Sequence, residues 1–282
     1  YSVIAETDSI ASGTRKAELI LANGKSVILD SDMNVHEVEI SGMKFVNDDK
    51  NGELRYDGSF VAEDSSKMSY NTLYIPKGGE YSLQLPDGSR VWLNSETSIR
   101  FPVCFMKDRR DVYLSGEAYF EVTHNEDKPF VVQTNKCNVE VLGTKFNVEA
   151  YSDSEDFCTS LMEGSVRVSD KGNPSETVLL SPNHMVSLEN GQLSTSPILD
   201  FDVFRWKEGL ICFRNMNFEQ LMLRFEKCYG VRIVVENKHL VNYICSGKFR
   251  ISDGIDNALR ILQKDAKYSF ERNNDESVIY IK

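Results

Sequence analysis

The residues best placed to do chemistry lie in the segment Gly116–Val122, GEAYFEV. Glu117 and Glu121 stand four residues apart in a strand-like alternation, so both share a face with Tyr119. Paired carboxylates are the equipment of glycoside hydrolysis. Four residues of strand span about 13 Å, however, whereas glycosidases hold their two carboxyl groups within about 9.5 Å. The plainer reading turns Ala118, Phe120 and Val122 inward and leaves the two acids facing solvent.

Lys77-Gly78-Gly79 has the composition of a phosphate loop. It opens a strand and not a helix, so it lacks the helix N-terminus that such loops use, and it reads as a turn or bulge. The four histidines, His36, His124, His184 and His239, have no ligand spacing. Neither G-x-S-x-G nor H-E-x-x-H occurs. The six cysteines are Cys104, Cys137, Cys158, Cys212, Cys228 and Cys245, with no C-x-x-C pair among them. Cys212 and Cys228 sit in apolar patterns and read as core, Cys104 and Cys137 as half-exposed, and most as free thiols. The expectation is a protein that is not an enzyme, with no catalytic residue, no cofactor and no metal.

The elements that must position these residues are written in a repeated sentence. Ala17–Asp32, AELILANGKSVILDSD, and the PKGGEYSLQLPDGSRVWLNSET that begins at Pro76 both spell L-x-L-x-[N/D]-G-x-x-V-x-L-[D/N]-S. In the second copy Pro86, Asp87 and Gly88 suit a type I turn followed by a left-handed residue. The resulting three-residue loop pairs Leu85 with Ser89, Leu83 with Val91 and Tyr81 with Leu93, so the apolar residues of both arms share one face. The first copy pairs Leu19 with Val27 and Ala17 with Leu29. A looser echo, Ser160–Asp170, turns at Glu163-Gly164. Hairpins arising independently or by internal duplication give the same message, a β-rich chain of stacked units.

The chain has 282 residues and a formal net charge of −11. That length supports a sizeable core and two domains. The acidic balance argues against nucleic acid, which needs clustered Lys and Arg. No run of about 18 apolar residues is present, so nothing reads as a spanning helix. The chain begins at Tyr1, which reads as a trimmed product whose address or anchor has been removed.

Short strands at regular spacing occupy the region from Asn71 to about Val186, with no helical period. Val46–Leu54 and Glu63–Lys67 read as solvated polar tracts, and Ser194–Pro197 as a loop. The texture then changes. Asn217–Gly230 reads as an amphipathic helix capped by Asn217 and Gln220, ended by Gly230, with Phe218, Leu221, Met222 and Phe225 on one face. Asp253–Asp265 reads as a second helix, with Ile255, Ala258, Leu259 and Leu262 facing in. Phe213-Arg214 and Phe249-Arg250 each precede a helix and an alternating strand, which makes a βαββαββ module. The fold class expected is mainly β plus α+β. An all-β region of residues 1–200, built of stacked hairpins, solenoid or jelly-roll-like, precedes a small module of residues 201–282.

From Thr72 to Asp170 the chain resembles the FecR family, the periplasmic anti-sigma regulators of Gram-negative bacteria. The matching pieces run in order: TLYIPKGGEYSLQLPDGSRVWLNSETSIRFP, RRDVYLSGEAYFEV, KPFVVQTNKCNVEVLGTKFNVEAY and LMEGSVRVSD. The tail, from WKEGLICFRNMNFEQLMLRFEKCYGVRIVVE to CSGKFRISDGIDNALRILQKDAKYSFERNNDESVIYIK, is similar to the C-terminal domain of the Bacteroidetes branch and to the secretin and TonB short N-terminal domain. The resemblance implies signalling. In the family a cytoplasmic segment holds an extracytoplasmic-function sigma factor, one helix crosses the inner membrane, and the periplasmic part senses a substrate-loaded TonB-dependent outer-membrane transporter. Such a protein controls nutrient-uptake genes, for iron or glycan. This sequence lacks the cytoplasmic segment and the helix, so it is expected to be the periplasmic sensor portion of an inner-membrane protein. It would meet the sigma factor only through the missing segment.

The partner surface implied is an open strand edge of the C-terminal module, either Tyr243–Lys248 or the terminal Ser277, Val278, Ile279, Tyr280 and Ile281, the second being favoured. The rival expectation is a carbohydrate-binding or carbohydrate-active β protein of the envelope. It would need an exposed aromatic platform, for which Trp92 is the best candidate but has no aromatic partner at strand spacing. The turn itself is testable. Gly88→Val forces a branched side chain onto a left-handed residue and is expected to lower stability by about 1–3 kcal/mol, read as a fall in Tm. An unchanged Tm would mean that the loop register is different.

Overall fold

A computed structural model of the chain describes residues 16–29, 37–40, 43–48, 52–56, 69–105, 108–273 and 277–282. Its larger part is a continuous 18-stranded sheet folded into two leaves over one apolar core. The leaves share the 12-residue strand Arg110–Glu121. The first half of that strand pairs with Thr97–Pro102 and, in parallel, with Phe130–Gln133. The second half pairs with Arg90–Leu93 and Lys145–Ala150. Gly116, at φ 117°, marks the crossing between them. A Cβ there would lie 2.4 Å from the Thr97 hydroxyl and 2.6 Å from its Cα, so only glycine fits. Val112, Leu114, Ala118 and Phe120 keep their period of two across the crossing and enter the common core.

Both copies of the repeated hairpin adopt the expected register. Leu83 faces Val91 and Tyr81 faces Leu93, the Leu85 amide donates to the Ser89 carbonyl at 2.8 Å, and Gly88 has φ 83°. Leu19 faces Val27 and Ala17 faces Leu29. The echo at Gly164 does not close a hairpin. Cys158–Glu163 pairs with Lys145–Ala150 and His184–Glu189 in one leaf, whereas Val166–Asp170 pairs with Cys137–Val141 and Thr177–Leu180 in the other. The turn is a corner between leaves, held tight because a Cβ on Gly164 would meet the Thr144 hydroxyl at 2.9 Å.

Three further expectations are corrected. Of Val46–Leu54, residues 49–51 lie outside the described residues, but Val46–Asp48 and Glu53-Leu54 are not loop, because Met43–Asp48 and Glu53–Tyr56 are antiparallel strands paired with each other. Ser194–Pro197 belongs to the strand Gln192–Pro197, which pairs with His184–Glu189. Its polar composition follows from its place at the rim of the sheet, where most of its residues are exposed and a terminal Pro costs no ladder bond. Cys137, expected half-exposed, is fully buried, and all six cysteines are free thiols. Glu63–Lys67 lies outside the described residues.

One charged side chain sits inside the sandwich. Arg110 is 2% exposed and forms a 2.7 Å ion pair with Asp87, the turn residue of the second hairpin. It also donates to the carbonyls of Lys128, Thr123 and Leu142 and lies over the Phe130 ring. Asp87 in turn accepts from the Ser89 amide and hydroxyl. The guanidinium thus ties the loop of the hairpin to two other loops, the one holding Thr123 and Lys128 and the one holding Leu142, at one end of the sandwich.

The C-terminal module has the expected βαββαββ order. Leu210–Asn217 pairs with Ile244–Arg250, and this brings the two matching aromatics together, Phe213 stacked on Phe249 with centroids 5.7 Å apart. The first helix, α1, spans Phe218–Tyr229. Asn217 accepts from the Gln220 amide at its start, and Gly230, at φ 68°, ends it. The second, α2, spans Ile255–Ala266 and buries the four residues expected. Both helices, with Ile279, Ile281 and Phe213, enclose a second apolar core.

The Arg110 arrangement predicts a large asymmetry between arginines. Arg110→Ala empties a buried cation site and leaves the half-buried Asp87 and three loop carbonyls without their donor, and should cost about 3–5 kcal/mol. Arg167→Ala, which removes an exposed pair with Glu140, should cost less than about 1 kcal/mol. Urea melts of the two variants check this, and equal losses would contradict it.

Candidate functional site

No enzyme-like constellation emerges where the sequence offered one. Glu117 and Glu121 do point outward from the sandwich, but that face is not bathed in solvent as expected. A 3-10 helix, Phe201–Glu208, and α1 cover it. Glu121 lies 3.7 Å from Lys207. Both Glu117 oxygens accept from side-chain amides, Asn94 at 2.8 Å and Asn147 at 3.0 Å. His124 faces Glu126 at the surface and His184 contacts the Pro182 carbonyl, while His36 lies outside the described residues. No metal-binding group of His, Cys, Asp and Glu occurs among the described residues. A pocket of about 340 Å³ opens beside Arg90, Glu121, His124 and Lys145, where Lys145 is already paired with Glu163 at 2.8 Å.

What the structure does build is a seam between sandwich and module. The 3-10 helix starts at Asp200, whose side chain accepts from the Asp202 amide, and ends at Gly209, φ 73°. It lays Phe204 and Trp206 onto Tyr119, which is fully buried. Phe204 meets Tyr119 edge-on at 6.0 Å, and Tyr119 meets Trp92 at 5.7 Å. Trp92 therefore has an aromatic partner after all, supplied by the next strand, but the helix roofs it. The Trp206 indole N–H donates to Asn147 at 3.1 Å, and Asn147 passes the contact on to Glu117. The Lys207 ammonium lies 3.7 Å from the Tyr119 ring centroid and 5.1 Å from that of Trp92. Burial there pulls its pKa down, with Glu121 opposing.

The second half of the seam is the end of α1. Lys77-Gly78-Gly79, the false phosphate loop, is its seat. The Gly78 amide donates to the Lys227 carbonyl at 2.8 Å. A Cβ on Gly78 would lie 3.0 Å from the Gly230 backbone. Lys77 approaches Glu226 at 3.8 Å, and Lys227 approaches Glu96 at 4.0 Å with its ammonium 3.6 Å from the Tyr151 ring centroid. Burial pushes the Cys228 thiol up to about 11. Burial, and then Glu149, pushes Cys158 up to about 12, so neither is a ready nucleophile. The aromatic run F-x-x-F-x-W between Asp200 and Gly209 was the signal for the 3-10 helix.

The strand edges differ from expectation too. Val278–Ile281 is the middle strand of a three-stranded sheet, parallel to Arg232–Val235 on one side and antiparallel to Phe270–Arg272 on the other. Ser277, Val278, Ile279, Tyr280 and Ile281 therefore offer no free edge, because the strand after α1 pairs with the terminus in parallel. Asn274 and Asp275 of the connecting turn lie outside the described residues. The alternative strand is open. Ile244–Arg250 pairs on one side only, with Leu210–Asn217, among the described residues. Its residues Ile244, Ser246, Lys248 and Arg250 are exposed. Lys248 forms a 2.5 Å ion pair with Asp202 of the 3-10 helix, and this hydrogen bond holds the Asp202 carboxyl below its usual range.

The comparisons agree with this architecture. The model of the FecR protein family matches residues 71–167, and that of the FecR C-terminal domain matches residues 210–280. Two crystal structures of a candidate anti-sigma factor from Parabacteroides distasonis ATCC 8503, at 1.65 and 2.50 Å resolution, superpose with a TM-score of 0.66 each. Their identities are 29% and 28%, and in both cases 75% of this chain and 98% of that chain are covered. No curated protein matches the chain. The sandwich with its shared strand, the βαββαββ module behind it and these matches place the chain in the FecR family of anti-sigma factors.

Proposed function

We propose that this chain is the sensing portion of a membrane-anchored anti-sigma factor. It reads the substrate-loaded state of a TonB-dependent outer-membrane transporter from the periplasm and passes it toward an extracytoplasmic-function sigma factor, without catalysing a reaction. Residues 1–200 act as the scaffold and residues 201–282 as the receiving domain. The observation that carries this reading is the open strand Ile244–Arg250 and its tie, Lys248 to Asp202, to the 3-10 helix seated on the sandwich. An extended segment of the transporter's periplasmic domain would add to that edge, its backbone supplying affinity and the exposed Ile244 an apolar anchor. Movement of the edge would reach Tyr119 through Lys248, Asp202 and Phe204. The nutrient served, iron chelate or glycan, follows from the transporter.

A second reading, a glycan-binding protein, is favoured by one patch on the outer face of the first leaf. There the Arg100 guanidinium lies 4.1 Å from the Tyr70 ring centroid and 5.3 Å from that of Tyr113, with Tyr74 exposed nearby. Tyr70 and Tyr113 meet edge-on at 6.0 Å, and a cluster of surface rings of that kind suits sugar faces as well as protein partners.

Calorimetry of the chain against the transporter's periplasmic domain separates the two readings. Ser246→Pro removes a strand N–H and Ile244→Lys removes the anchor; each is expected to weaken binding by at least about tenfold while circular dichroism stays unchanged. Undiminished binding by both folded variants would overturn edge docking. Binding of polysaccharide by the parent chain, lost in Tyr74→Ala, would favour the second reading.

A further inference from the structure

The two parts of the chain differ in the sign of their charge. Residues 1–200 hold 18 Lys and Arg against 32 Asp and Glu, whereas residues 201–282 hold 14 against 11. A partner of the module therefore meets a basic body joined to an acidic one. The excess shows at the open strand. Ile244–Arg250 contains Lys248 and Arg250 and no acid, and both cations are exposed on the same face as Ile244 and Ser246. Arg250 has no ion pair among the described residues, and neither has the exposed Arg214 on the neighbouring strand. Cations along an open edge discourage pairing with a second copy and favour an added strand that carries acids.

Lys248 does have a partner, and it is internal. Its ammonium lies 2.5 Å from Oδ2 of Asp202, in the first turn of the 3-10 helix. The Lys248 side chain is 54% exposed, so the pair is of the surface kind that contributes little and exchanges readily. Asp202 is not left bare when the pair breaks. Its other oxygen, Oδ1, faces Arg205 at 3.7 Å, a cation it shares with Glu208. A strand added at the open edge would bring its own side chains onto the face of Lys248, with about 5 Å between directly opposed Cβ atoms. The flexible ammonium can then reach a carboxylate on either side of its strand.

We propose, building on edge docking, that the docking segment of the transporter is acidic and that Asp202 is its internal stand-in: a partner carboxylate takes Lys248 from Asp202, which falls back on Arg205. The exchange unhooks the strand Ile244–Arg250 from the 3-10 helix that holds Phe204 against Tyr119. Docking at the edge is thereby felt at the seam as the loss of one ion pair, and neither apolar core has to rearrange.

Amide spectra of the intact chain, titrated with two capped peptides of alternating residues, Thr-Glu and Thr-Gln, test this. Both should shift the Ile244–Arg250 amides. The Glu peptide should bind several-fold more tightly at low salt, and the preference should shrink as ionic strength rises. Asp202→Asn removes the internal competitor. It is expected to tighten the Glu peptide by about two- to fivefold, the range of one exposed ion pair, and to leave the Gln peptide unchanged. In Lys248→Gln the preference should fall, and Asp202→Asn should add nothing in that background. Circular dichroism confirms that each variant is folded. No gain in Asp202→Asn, or the same gain in the Lys248→Gln background, would overturn the exchange. Equal binding of the two peptides, or no shift of the Ile244–Arg250 amides by either, would overturn the acidic segment. Edge docking itself is judged separately, by the transporter calorimetry with Ser246→Pro.

Discussion

Gly78 and Gly230 meet backbone to backbone, and both have left-handed torsions, φ 76° and 68°. A side chain on Gly78 would press into the Gly230 backbone at 3.0 Å, and one on Gly230 would approach the Lys77 carbonyl at 3.3 Å. The glycine that terminates α1 is thus also the glycine that seats it. This close approach brings the amide of one part within 2.8 Å of a carbonyl of the other, and it puts Lys227 over Tyr151 and within 4.0 Å of Glu96. The 3-10 helix fixes the other end of the seam with Phe204, Trp206 and Lys207. Two apolar cores that share no residue become mechanically connected through these contacts.

A seam of this composition suits a relay better than a permanent weld would. Its apolar portion is small and aromatic, centred on Tyr119, and much of the rest is a polar chain from Trp206 through Asn147 and Glu117 to Asn94. Polar contacts of this kind have definite geometry, and where the seam opens to water each can be exchanged for a hydrogen bond to solvent at modest net cost. The sandwich behind it is stiff for the opposite reason. Its sheet is continuous through Arg110–Glu121, and one end is clamped by the buried Arg110 paired with Asp87.

Local features were legible in the sequence wherever local chemistry decides them. Asn217, Gln220 and Gly230 announce α1, and the alternation around Asp87-Gly88 settles the register of its hairpin. The corner at Gly164 was not legible, since a glycine turn encodes a reversal and not which leaf the outgoing strand joins. The strand Gln192–Pro197 read as loop because a rim strand needs no apolar face. The central place of Val278–Ile281 depends on a parallel pairing with Arg232–Val235, a contact between distant segments. The seam was least visible of all. Glu117 read as a solvent-facing acid because nothing near it in the chain reveals that Trp206, 59 residues beyond Asn147, closes over the same face.

Residual dipolar couplings of the amides in the sandwich and in the module test the coupling most directly. If the two parts move as one body through the seam, a single alignment tensor must fit the couplings of Tyr70–Asp170 and Leu210–Ile281 together. Two tensors of different magnitude or orientation would mean that the module tumbles free of the sandwich, and the proposed relay through Phe204 to Tyr119 would be ruled out.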